Sequence, residues 1–168
     1  MRKLIHTLFA LLVAITVATS CEKIDNNRIP PVDTNLIFYT IGEWQLYGVS
    51  GAGDYRQFIK QDGIPAGYPY KISDATGFGG LLLVCDPIGE YLVYDLACPV
   101  ESRPDVRVKI DHSNPLAGMV KCPKCGSVYN LFARGAAAEG EALKARYGLQ
   151  SYFISVGSTT PPYAVIHR

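Results

Sequence analysis

The stretch "GLLLVCDPIGEYLVYDLAC", Gly80 to Cys98, decides the fold class. Two apolar runs rich in β-formers, Gly80 to Cys85 and Glu90 to Cys98, flank the turn residues "DPIG". On the second run Leu92, Tyr94 and Leu96 alternate with Tyr91, Val93 and Asp95. This period of two on either side of a proline-glycine turn predicts an antiparallel hairpin. Outward from it, short candidate strands follow one another between turn signals. They are "NLIFYTI" (Asn35 to Ile41), "WQLYGV" (Trp44 to Val49), "VRVKID" (Val106 to Asp111), "GMVKC" (Gly118 to Cys122), and a closing hairpin of "SYFISV" and "YAVIHR" across "GSTTPP". The segment between Ser50 and Ser73 reads as a long loop with a helical turn around Tyr55 to Lys60.

Composition agrees with an all-β chain. Eleven Tyr, six Phe, 16 Gly and 11 Pro favour strands and turns, and the one stretch of helical character, "ARGAAAEGEALKARYG", is interrupted by Gly135 and Gly140. Sixteen basic and 15 acidic residues leave a net charge of +1, with no basic run, so nucleic acid is not an expected partner. No internal repeat is present. "GAGD" and "GFGG" lack the strand-to-helix context of a phosphate loop, and no Ser, His and acid set points to a hydrolase.

The N-terminal "MRKLIHTLFALLVAITVATSC" has a basic start, an apolar run and small residues before Cys21, the layout of a secretory signal. Its ending "ATSC" resembles the lipobox of bacterial lipoproteins. That resemblance implies a signal peptide over 1–20, an acylated Cys21 as the lipidation site, and a cell-envelope protein that is periplasm-facing or surface-exposed. The polar, proline-bearing residues 21–31 then read as a lipid-anchored tether, and 32–168 as one domain.

Four cysteines remain. Cys85 and Cys98 lie at opposite ends of the hairpin, roughly 26 Å apart at about 3.3 Å per residue, and Cys85 is expected to pack as a small apolar residue. Cys98 ends its strand in "ACPVE", and Cys122 and Cys125 end another in "KCPKCGS". A sheet that sets these two Cys-Pro loops side by side would bring three thiols together. His112, in the turn "DHSNP", is expected to be a solvated turn residue, and His167 lies in the last strand.

The two loops, the hairpin that feeds the first and the "GSVY" that follows the second resemble the Rieske iron-sulfur domain family, over about Gly77 to Tyr147. In that family Cys-x-His and Cys-x-x-His loops hold a 2Fe-2S cluster, two Cys on one iron and two His on the other. The resemblance implies Rieske-like antiparallel sheets with a small metal-loop subdomain. Cys98 and Cys122 match the thiolate ligands, Ser127 and Tyr129 match the side chains that hydrogen-bond to cluster and ligand sulfurs, and "RGAAAEGEALKARY" is similar to the loop that covers the cluster. It also implies electron transfer to a redox partner protein, without substrate chemistry of the domain's own.

Both His positions depart from the pattern, being Val100 and Cys125. A fourth donor would come from Glu101, whose spacing from Cys98 equals that of Cys125 from Cys122. Three readings stay open: a 2Fe-2S cluster on Cys98, Cys122, Cys125 and Glu101, a zinc ion on the same residues, or a metal-free scaffold in which Cys98 is disulfide-bonded to Cys122 or Cys125.

Overall fold

The computed structural model describes residues 23–168. The expected signal peptide over 1–20 and the expected lipidation site Cys21 lie outside the described residues. Strand makes up 34% of the structure and helix 12%, so the chain is all-β.

Among the described residues eleven strands and two short α-helices follow one another in the order β1 (Thr34–Phe38), α1 (Ile41–Tyr47), β2 (Tyr55–Phe58), β3 (Ala75–Thr76), β4 (Leu81–Cys85), β5 (Tyr91–Asp95), β6 (Lys109–Ile110), β7 (Met119–Lys121), β8 (Val128–Asn130), β9 (Ala136–Glu139), α2 (Glu141–Ala145), β10 (Ser151–Val156) and β11 (Ala164–His167). Seven of the strands form a nearly closed antiparallel sheet in the order β2-β4-β5-β10-β11-β1-β3, and β6-β7-β8-β9 form a smaller second sheet. The predicted hairpin is present, with Leu81 opposite Asp95 and Cys85 opposite Tyr91. The closing hairpin is present as well, and β11 also pairs with β1.

Strand β4 is buried along its whole length because it has apolar neighbours on both faces. Leu81, Leu83 and Cys85 point into the large sheet, among Leu36, Phe38, Trp44, Phe58 and Ile166. Leu82 and Val84 point the other way, towards Leu96, Val120, Tyr129 and Leu131 of the layer that joins the two sheets. Burial on both faces explains an unbroken "LLLVC" where a half-exposed strand would alternate. Near the open edge of the large sheet, Lys60 donates from Nζ to the carbonyls of Lys71, Ile72 and Asp74 at 2.7, 2.9 and 2.8 Å, tying the end of β2 to the approach of β3.

Three local expectations are corrected. Trp44 to Val49 is not a strand: Ile41–Tyr47 is helical, capped by Thr40, whose Oγ1 accepts from the Glu43 N–H at 3.1 Å. Tyr55 to Lys60 is not a helical turn but β2, followed by a 3₁₀ turn at Lys60–Asp62. Of Val106 to Asp111 only Lys109–Ile110 is strand, although Ala97 bridges to Arg107 upstream.

Within the expected tether, Asp25 to Ile29 packs on the domain. The Asp25 N–H donates to Arg146 O, and the Gly148 N–H to Asp25 O, both at 2.9 Å. The Arg28 guanidinium lies 5.1 Å above the Tyr147 ring, and Ile29 is buried.

Candidate metal centre

The end of β5 delivers the first loop. Asp95, buried completely, accepts hydrogen bonds from the N–H groups of Phe78, Gly79 and Ala97 at 2.7–2.8 Å and from the Tyr152 hydroxyl at 2.8 Å. One carboxylate therefore fixes the backbone of Ala97, the residue immediately before Cys98. Sequence reading took Asp95 only as a polar member of an alternating strand. The signal that was available is an Asp on a strand with apolar neighbours on both sides, facing the "GFGG" run that needs its backbone donors satisfied. Beyond Ala97, the Cys98 N–H donates to Val106 O at 2.9 Å and the Cys98 carbonyl accepts from Ser102 N at 2.8 Å, so the loop turns back on itself.

The second loop joins β7 to β8. Its turn is closed by Gly126 N–H to Cys122 O at 3.1 Å and Cys122 N–H to Ser127 O at 2.9 Å. Strand β9 and α2, from the "RGAAAEGEALKARY" stretch, return over this turn. Gly140 passes so close to Ser127 that a Cβ on it would meet Ser127 Cα at 2.9 Å, and its φ of +81° is glycine's territory. The approach lets the Ala142 N–H, in the first turn of α2 and so without an intrahelical acceptor, donate to Ser127 Oγ at 3.1 Å.

The two loops bring Cys98, Cys122 and Cys125 together, with their three sulfurs all within 4.8 Å of one another. Cys98 and Cys122 are buried and Cys125 is partly buried; Cys98 Sγ lies 3.7 Å from Cys125 Sγ. All three are free thiols, as is the buried Cys85, which takes no part in the cluster. The Tyr129 hydroxyl lies 3.5 Å from Cys98 Sγ and Ser127 Oγ lies 3.3 Å from Cys125 Sγ, so both sulfur-contacting side chains stand beside the thiols. Glu101 is not with them: its carboxylate is ion-paired with Lys124. His112 is an exposed turn residue whose Nδ1 is 2.8 Å from the Tyr55 hydroxyl, and the His167 ring stacks on Phe153.

The thiols differ electrostatically. Burial pushes Cys98 up to about 12, against hydrogen bonds from Tyr129 and the Glu101 backbone that act to lower it. Burial also acts upward on Cys125, but the Ser127 hydroxyl and N–H, with the neighbouring Cys122 and Cys98 thiols, outweigh it and hold Cys125 below the ordinary thiol value. Burial first, and the adjacent sulfurs second, keep the Tyr129 phenol protonated, and hence a donor.

Three converging thiols can hold a metal ion. With metal–sulfur bonds of about 2.3 Å, the thiolates of one tetrahedral ion lie roughly 3.8 Å apart, close to the Cys98–Cys125 separation of 3.7 Å. A two-iron cluster of the Rieske kind fits this donor set poorly. By the Rieske resemblance Cys98 and Cys125 would serve different irons, whereas their sulfurs stand only 3.7 Å apart. Val100, at the other imidazole position, packs against the apolar core and offers no donor. The chain matches no protein-family model and no curated protein, so the family resemblance rests on the sequence motifs alone.

Proposed function

We propose that this is a lipid-anchored envelope domain, acylated at Cys21, whose two ligand loops bind one thiophilic metal ion through Cys98, Cys122 and Cys125. The observation that carries the reading is the convergence of the three sulfurs within 4.8 Å of one another, the Cys98–Cys125 pair at 3.7 Å. Zinc suits three thiolates, and the fourth coordination position is left to an exogenous ligand or a partner's side chain. Ser127 and Tyr129 orient the sulfurs and donate to them, as outer hydrogen bonds commonly do at metal sites. On this reading the domain binds a metal, and no substrate chemistry is proposed for it.

One observation favours iron and electron transfer to a redox partner instead. The contacts of Tyr129 with Cys98 and of Ser127 with Cys125 are of the kind the Rieske resemblance implies around sulfur-ligated iron.

The test is elemental and sulfide analysis of anaerobically purified protein made through its own export route. Near one zinc per chain in colourless protein, with a melting temperature lowered by chelator and zinc lost in Cys122→Ser, supports the single-ion reading. Iron with matching acid-labile sulfide and visible charge-transfer absorption establishes the cluster and electron carrier instead. Metal-free protein with a bond joining Cys98 to Cys122 or Cys125 in non-reduced digests refutes both.

A further inference from the structure

The three clustered thiols are not equally reachable. Cys98 and Cys122 are completely buried, whereas Cys125 is partly exposed. Cys125 sits on a turn tip whose Pro123 and Lys124 are exposed. The space beside Gly126 is open, since a Cβ placed there would meet no atom within 4 Å. A thiol-reactive molecule arriving from solvent meets Cys125 first.

The sulfur across from it on the other loop is that of Cys98, 3.7 Å away. A disulfide holds its sulfurs about 2.05 Å apart, so this pair has about 1.7 Å to close. Cys98 is fixed in place, its N–H bonded to Val106 O, its carbonyl to Ser102 N, and the preceding Ala97 to Asp95. The open turn makes Cys125 the side that moves. A bond between the two removes two of the three sulfur donors at once. Glu101 is paired with Lys124, and Cys85 takes no part in the cluster, so Cys122 is left as the site's one thiolate.

We infer that metal binding here is gated by redox state: exchange with a disulfide-bearing oxidant joins Cys98 to Cys125 and expels the ion, and reduction restores the site. This rests on the single-ion reading above. The envelope location in that reading supplies oxidants of this class. In the first step the Cys125 thiolate attacks one sulfur of the oxidant, whose own S–S bond breaks, and one thiolate leaves. In the second the Cys98 thiolate attacks the Cys125 sulfur, the mixed bond breaks and the second thiolate leaves. Two electrons pass from the Cys98 and Cys125 sulfurs to the oxidant, and the ion departs from a site holding only Cys122. The new bond takes over the ion's place as the bridge between the two loops, which keeps the site ready to refill.

The test mixes anaerobically purified, zinc-loaded full-length protein with excess oxidised glutathione. Released zinc is followed with a colorimetric chelator, and the cysteines are mapped in non-reduced digests. Bound zinc should be lost nearly completely, in step with formation of a Cys98–Cys125 bond, and early quenched samples should carry glutathione on Cys125 alone. Dithiothreitol with added zinc should restore the starting content. In Cys122→Ser, which keeps the pair but not the ion, the same bond should form. Zinc retained through the treatment, a bond made to Cys122 instead, or glutathione appearing first on Cys98 or Cys122 overturns the gate and leaves the metal site standing. Reduced protein that takes up no zinc overturns the single-ion reading, and the gate with it.

Discussion

Removing the hydroxyl of Ser127 separates the contributions that assemble the thiol site. Ser127 and Ala142 are both fully buried. In Ser127→Ala the Ala142 N–H, 3.1 Å from Oγ, keeps no acceptor. A buried donor left unpaired costs about 1–3 kcal/mol. Taking about 2 kcal/mol, and about 2–4 °C per kcal/mol for a domain near this size, the melting temperature should fall by about 6 °C. The same hydroxyl helps hold the Cys125 thiol below its ordinary value, so its loss should slow alkylation of Cys125 at neutral pH.

The sign of the pH dependence follows from that depression. A thiol with a lowered folded pKa contributes stability that is present above its unfolded value, about 8.5, and vanishes as pH falls through the folded one. The gap between wild type and Ser127→Ala should therefore be smallest at acidic pH, where only the unpaired N–H counts, and should widen towards pH ~9. Urea unfolding of reduced, chelator-treated protein across this range measures the gap, and mass-resolved iodoacetamide labelling measures Cys125. A gap under about 0.5 kcal/mol, the scatter of neutral surface substitutions, together with unchanged Cys125 labelling, would refute the reasoning.

Gly79→Ala should be severely destabilising, because its Cβ would stand 2.5 Å from the Ala97 backbone nitrogen and 2.8 Å from Ala97 Cβ, in the strand end that sets Cys98. Overpacking of this kind costs about 1–3 kcal/mol or more, and a melting temperature within about 1 °C of wild type would contradict the close approach. Glu101→Gln should leave metal content and metal affinity unchanged while altering only the contact with Lys124; loss of metal from this variant would make the carboxylate a ligand after all.

The hairpin from Gly80 to Cys98 was legible because alternation, β-formers and a proline-glycine turn agree, and local agreement of that sort survives folding. The separation of Cys85 from the other thiols followed from the same hairpin, since strand rise is fixed by backbone geometry. The helix at Ile41–Tyr47 was readable and missed: Thr40 and Glu43 form the Thr-x-x-Glu signature of a helix start, but the aromatic and β-branched residues from Trp44 to Val49 favoured a strand.

What the amino-acid order determined was the all-β class, the hairpin and the two Cys-Pro loops that carry the clustered thiols. Whether three sulfurs meet was decided only by the pairing of β5 with its neighbours, by the Asp95 carboxylate that fixes Ala97, and by the return of α2 over Ser127. Equal spacing made Glu101 look equivalent to Cys125, yet one faces Lys124 and the other faces Cys98. Spacing along a chain fixes how far a residue can reach. The direction in which its side chain points depends on neighbours brought in from distant parts of the sequence.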